Sequence, residues 1–219
     1  MKTNKSMTIT TSVILAACLG VLAGCASHNY DKGQATAASL KASSEKIDAA
    51  SGQLNATLAS LNDLVNNPQP DLRPQYTKFS NNVDDLGKLA RHVQDSVAAM
   101  REKGKEFFDQ WNAQLAEIKN EDIRSRSTAR QQEVSAALSD VKTSYAEAET
   151  AFRPLMSNLR DIQKYLGIDL TRAGVASMKD ITAKTNEESA TLRTAVAKLV
   201  ADFKSLGVAM SAVAPAPPQ

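Results

Sequence analysis

Two histidines, His28 and His92, are the only imidazoles in the chain. A histidine metal site on a helix needs a second ligand one turn away, and neither has a His partner at that spacing. His92 and Asp95 stand three residues apart, a spacing that allows one ion pair on a helix face. Acid pairs are frequent: Asp84-Asp85, Glu121-Asp122, Glu147 with Glu149, and Glu187-Glu188. Carboxylate catalysis requires two groups held across a cleft with separated pKa values. These acids are instead interleaved with Lys and Arg on stretches that read as solvated helix faces. The chain has no Glu-x-x-His, no His-Glu-x-x-His, no Gly-x-Ser-x-Gly and no Gly-rich phosphate loop. The sequence thus offers no catalytic residue, no metal site and no cofactor. Thr182, Thr185 and Ser189 share one helical seam, where hydroxyls bond the preceding turn more often than they line a pocket.

The densest aromatic patch is Phe107-Phe108-Asp109-Gln110-Trp111. Phe107 and Trp111 are four apart and fall on a core stripe, with Phe108 on the flank. Exposed aromatic clusters favour interfaces, so Phe107, Phe108 and Trp111, with Arg124 beyond the next turn, are the candidate contact for a protein partner. Cys25 is the other chemically distinctive residue. Lys2 and Lys5 precede a short apolar run, Val13 to Leu22, which ends in Leu22-Ala23-Gly24-Cys25. That order matches a secretory leader and is similar to a bacterial lipobox, cut before a cysteine that carries diacylglycerol. Leu15-Ala16-Ala17-Cys18 also fits loosely, but cleavage there leaves an apolar stub. Residues 1–24 are therefore expected to be a lipoprotein signal peptide and Cys25 the lipidation site. Ala26 and Ser27 follow the cysteine with no Asp, which by analogy with sorting of such proteins favours the outer membrane.

Removal of residues 1–24 takes away Lys2 and Lys5 and no acid. The 26 basic residues become 24, against 24 acidic ones. A neutral, evenly mixed surface excludes the basic stripe that nucleic acid requires. Electrostatic adhesion to anionic lipid is disfavoured for the same reason. With Cys25 lipidated, no thiol remains for a disulfide or a nucleophile.

The elements that position these residues read as helices. Aromatics are only 5% of the chain, and its 42% hydrophobic content is rich in Ala, a composition suited to slim packed helices. After a tether over residues 25–34, a first helix runs from about Ala35 to Val65 and stops at Asn66-Asn67-Pro68. A second runs from an N-cap at Asp71 to about Lys119. Its stripe includes Leu72, Tyr76, Phe79, Val83, Leu86, Ala90, Val93, Val97, Met100, Gly104, Phe107 and Trp111. A turn at Asn120 caps the third helix, striped from Val134 through Tyr145 and Phe152 to Leu166, with a kink at Pro154 and Gly167 as its C-cap. Asp169 or Thr171 starts a fourth, striped from Val175 to Met210. The Ala- and Pro-rich residues 212–219 read as a disordered tail. Apolar residues spaced four and three apart keep one face on a partner helix. The fold expected is all-α, an elongated antiparallel four-helix, coiled-coil-like bundle over residues 35–211. Folding the hairpins back makes it four helices thick near Leu86 and three beyond Gly104.

Phe108-Asp109-Gln110-Trp111, Leu115, Asn120, Ile123-Arg124 and Ser127 form one block that resembles a bacterial family of unknown function. A second block is closer: Tyr145, Ala148-Glu149, Pro154-Leu155, Leu159-Arg160-Asp161, Tyr165-Leu166, Asp169-Leu170, Ala173 and Val175-Ala176-Ser177-Met178-Lys179. The family is domain of unknown function 2959, and the similarity spans roughly Ala35 to Leu206. Gly167 and Gln110 depart from its pattern. The resemblance implies a helical, often lipid-anchored envelope protein without assigned activity, and it supplies no catalytic residues. Together these observations lead to a non-enzymatic, periplasm-facing envelope protein held to the membrane by its N-terminal lipid. It would act as a structural or adaptor protein through helix contacts, with a protein partner or by self-association. The alternative is a binding module holding a small apolar or lipid-like ligand between helices near Phe107 and Trp111.

Overall fold

Four long helices and one short one follow each other along the chain: α1 Ser27–Asn66, α2 Arg73–Glu117, α3 Glu121–Ile168, α4 Arg172–Ser177 and α5 Lys179–Met210. The computed structural model describes residues 27–210, with side chains from residue 38 onward. The expected leader, the lipidation of Cys25 and the tail over 212–219 lie outside the described residues. Among the described residues there is no strand. The long helices form a ring in which α1 packs on α2 and α5, and α3 packs on α5 and, less closely, on α2.

The heptad stripes become the core. Phe79, Val83, Leu86, Leu155, Leu159, Ile162 and Leu166 are buried together with Leu54, Leu61 and Leu64 of α1. A second cluster joins Leu40 and Ile47 to Val97, Met100, Val134, Val141, Leu199 and Phe203. Helix α3 continues through Pro154, whose side of the helix faces solvent. The close pairs are those with small residues between them. Thr57 and Ser60 of α1 are buried, as are Thr182, Thr185 and Ser189 of α5. Helices α2 and α3 pack less closely, with Tyr145, Phe152 and Met156 beside the small Gly87, Ala90 and Ala148 along their gap.

Polar bonds between helices set the register that a heptad stripe leaves open. The Gln75 amide donates to the Asp63 carboxylate at 2.8 Å and accepts from the Gln69 N–H at 3.0 Å, tying the α1–α2 loop shut. Asn82 donates to Ser60 Oγ at 3.0 Å. Asn62 and Asn186 exchange amide hydrogen bonds of 3.0 and 2.9 Å across α1 and α5. Tyr76 donates to the Gln163 carbonyl at 3.1 Å, and Gln163 donates to Ser80 Oγ at 2.9 Å.

Several boundaries differ from the sequence reading. Helix α1 begins at Ser27, so the expected tether is helical from that residue onward. Leu40 shares its cluster with Met100. The stretch from Ser27 to Ser39 therefore carries α1 about 20 Å further toward the α2–α3 turn, past the level where three helices were expected. Asn120 caps α3, accepting from the Ile123 N–H at 3.1 Å. Asp71 is not the N-cap of α2; that position is Leu72. The Asp71 carboxylate instead takes the Arg73 guanidinium at 2.8 Å and the Arg73 N–H at 3.1 Å.

Gly167 lies inside the last turn of α3 and Asp169 is the C-cap. A Cβ on Gly167 would stand 2.7 Å from the Tyr76 hydroxyl, so close passage of Tyr76, rather than capping, accounts for the glycine. The fourth helix is divided at Met178, whose N–H bonds the Val175 carbonyl at 3.1 Å. Thr171 caps α4 through the Gly174 N–H at 3.0 Å. Gly174 is buried beneath Asp169, and a Cβ there would overlap the Asp169 carbonyl oxygen.

Candidate functional site

The residues with catalytic or ligating potential are spread over the surface. Asp85 pairs with Lys88 at 2.9 Å, Glu147 with Lys198 at 2.8 Å and Glu149 with Arg153 at 2.7 Å. Glu188 accepts from Asn158 at 2.7 Å. His92 is exposed and forms no ion pair with Asp95. Among the described residues no group of three His, Cys, Asp or Glu gathers, and no helix is long and apolar enough to cross a membrane. The seam hydroxyls are buried on α5. Thr185 bonds the Ile181 carbonyl at 2.7 Å and Ser189 the Asn186 carbonyl at 2.6 Å, whereas the Thr182 hydroxyl has no partner.

The three rings of the aromatic patch do come together. Phe107 meets Phe108 and Trp111 edge-on at 5.7 and 5.3 Å, and Phe108 stacks on Trp111 at 6.3 Å. All three are half-buried against the second core cluster, so Phe108 belongs to the group rather than standing off on the flank. The Trp111 indole donates to Ser127 Oγ at 2.9 Å, which ties α2 to α3 near their turn. Arg124 is not drawn to the rings. It is exposed, pairs with Glu121 and lines a shallow groove with Leu115 and Thr128.

A gap lined mostly by apolar side chains lies elsewhere in the bundle. A cavity of ≈ 90 Å³ sits where the two core clusters meet. Ala50, Ala90 and Ala148 place methyl groups from three helices around it, with Val196 from the fourth. Each is a seam residue, but Ala lacks the reach to fill the centre. Between α2 and α3 the cavity adjoins a groove of ≈ 460 Å³, the two sharing Ala90, Gln94, Glu149 and Phe152. Tyr145 lines the cavity with Arg101 5.5 Å from its ring centre. Burial, reinforced by Glu149, pushes the Tyr145 phenol pKa up. Ala90 and Phe107 are about 25 Å apart along α2, so this gap is not the one expected beside Phe107 and Trp111.

A third feature gathers at the opposite end from the aromatic patch. Ile168, Ile181 and Tyr165 are 81%, 43% and 37% exposed, while Ile123 and Val208, 54% and 52% exposed, lie toward the α2–α3 turn. The Tyr165 hydroxyl lies 3.2 Å from Ser177 Oγ, one turn before Ile181. The stripe pattern missed them because Tyr165 and Ile181 stand one residue off the seam and Ile168 lies two residues beyond its last position on α3, Leu166. Isoleucines in such positions, beside Leu166 and Thr182, were the signal available.

A family model described as "Protein of unknown function (DUF2959)" matches residues 26–209. The chain belongs to the DUF2959 family. No curated protein and no solved structure matches it. Of the residues that carry the family resemblance, Tyr145, Ala148 and Glu149 line the cavity, and Arg160 and Asp161 line the groove beside it.

Proposed function

We propose that this DUF2959 protein is a non-catalytic adaptor of the bacterial envelope, lipid-anchored at Cys25, facing the periplasm and sorted to the outer membrane. It works as a rod that carries a protein-contact surface away from the bilayer. The observation that supports this most is that Ile168, Ile181 and Tyr165, three of the five exposed large apolar side chains among the described residues, lie at one end of the bundle, with Ile123 and Val208 toward the other. Helix α1 runs antiparallel to α2, so Ser27 points to the end that holds the α2–α3 turn. A lipid on Cys25 thus puts Phe107, Phe108, Trp111 and Arg124 nearest the membrane. The Ile168 end would then stand about 60 Å away, the length of α1. Exposed apolar side chains cost nothing only if solitary or covered by a partner.

Two experiments test the reading. A photo-reactive amino acid at residue 168, in intact cells, should yield a covalent adduct with a different protein, and one at 108 should yield less of it. Adducts at 108 alone would reject the distal contact. For the anchor, Cys25→Ser should abolish metabolic labelling by an alkynyl fatty acid and release the protein from the membrane fraction. Labelling as strong as in the unaltered protein would reject lipidation at Cys25.

A further inference from the structure

We propose that the slit between α2 and α3 binds a single-chain amphiphile with a carboxylate head, a long-chain fatty acid. Its hydrocarbon end would enter the cavity at Ala90 and Ala148, and its carboxylate would be held by Arg91 and Arg160. This site is independent of the contact surface at Ile168.

The apolar half of the argument is the cavity itself. Ile47, Leu54, Leu86, Phe152, Leu192 and Leu199 also line it, and Ser51, Gln94 and Glu149, with Tyr145, are its charged or amide- and hydroxyl-bearing members. A void among mostly apolar side chains forfeits dispersion contacts and does not attract water, but hydrocarbon can occupy it. The entrance lies between the helices that approach one another least closely, so a chain can enter without breaking the close α1–α2 and α3–α5 packings.

The polar half is in the adjoining groove, which Arg91, Arg153 and Arg160 line together with Glu149 and Asp161. Arg153 is taken by Glu149 at 2.7 Å. The side chains of Arg91 and Arg160 make no ion pair or hydrogen bond with another described residue. Gly87 brings these two together. It is buried, and a Cβ on it would lie 3.3 Å from Arg160 Nη2 and 4.0 Å from Arg91 Nη1. Both guanidiniums therefore lie over one bare patch of α2 backbone, one turn from the cavity-lining Ala90. Asp161 is exposed on the same rim and offsets one of the two charges. Paired guanidiniums suit a planar carboxylate, which each can grip with two parallel N–H bonds. Cavity and groove together reach the size of ordinary small-molecule sites, about 300–1,000 Å³.

The test uses the full chain and the fluorescent polyene cis-parinaric acid, displaced by palmitate, decanoate, hexadecanol or lysophosphatidylglycerol. Palmitate should displace the probe at least as tightly as decanoate: the cavity of ≈ 90 Å³ takes up only the end of either chain, and each further methylene laid along the groove adds less than the about fourfold of a fully buried one. The double variant Arg91→Gln/Arg160→Gln should weaken palmitate at least about tenfold and leave hexadecanol unchanged. Ala148→Leu should weaken both by filling the cavity. Should that variant lose helicity on melting, Ala90→Leu, at a half-buried position, makes the same test. Absence of saturable probe binding would overturn the proposal. So would palmitate affinity indifferent to both kinds of variant. Saturable displacement by lysophosphatidylglycerol with none by palmitate would overturn the carboxylate assignment.

Discussion

Phe79 and Phe107 occupy the same stripe of α2, four heptads apart, and meet different surroundings. Phe79 is fully buried among Leu61, Val83, Leu159 and Ile162, in the half of the bundle next to the α1–α2 loop. Phe107 is half-buried and leans on Phe108 and Trp111. The first half is crossed by side-chain bonds between helices, through Gln75, Asn82, Asn62 with Asn186, and Tyr76 with Gln163. Toward the α2–α3 turn the Trp111 indole and the Gln131 amide also bond across α2 and α3, to Ser127 and Asn112, while ion pairs such as Lys105 with Asp109 and Arg130 with Glu133 lie within single helices. One heptad pattern thus supports both a closed half and an open one. What differs is how completely the neighbouring helices cover the ring.

The largest expected effect sharpens that contrast directly. Phe79→Ala should cost about 4 kcal/mol of stability in urea unfolding, and Phe107→Ala only about 1–2 kcal/mol because its ring is already partly wet. Equal losses would break the comparison. Next come two glycines. Gly174→Ala should cost about 2 kcal/mol or more, since the new methyl overlaps the Asp169 backbone and the turn must shift. Gly104→Ala, whose methyl would meet Leu138 Cδ2 at 3.4 Å, should instead stabilise by about 0.5–1 kcal/mol through helix propensity. Thermal melts of the pair settle the signs.

Asn62→Ala should cost about 1–2 kcal/mol, because it leaves the Asn186 amide without its cross-helix partner. Lys105→Ala, which removes an exposed pair within one helix, should change stability by no more than about 0.5 kcal/mol. The smallest effect belongs to Asp71. Its hydrogen bond to the Arg73 side chain, helped by the Arg73 N–H, holds the carboxyl at about 2 against an ordinary 3.8. A depressed carboxyl contributes its stabilisation fully above the unfolded value and loses it as pH falls through about 2. Carboxyl resonances followed by NMR should titrate near 2, and Arg73→Gln should return them toward 3.8.

Much of this was legible from residue spacing. The stripes named Phe79, Val83, Leu159 and Phe203 as core, and the turn at Asn120 carried its own cap. Four stripe positions, Ala90, Val93, Tyr145 and Phe152, are only half-buried, and they border the gap between α2 and α3. Heptad periodicity shows which way a side chain points. It carries no information on the distance to the facing helix, which depends on residues of other helices. For the same reason Gly167 read as a cap: that Tyr76 crosses it is a contact over ninety residues of chain.

The sequence by itself determined the number of long helices, their facing stripes and the approximate turns between them, because helix periodicity, proline stops and capping side chains act within a few residues. Only the tertiary structure decided that α1 and α5 close against their neighbours while α2 and α3 stand apart. It also decided that Arg91 and Arg160 share one bare patch over Gly87 and that Ile168 and Ile181 gather at one end. Those outcomes depend on which small and large side chains meet across helices, a relation between distant parts of the chain that no local pattern contains.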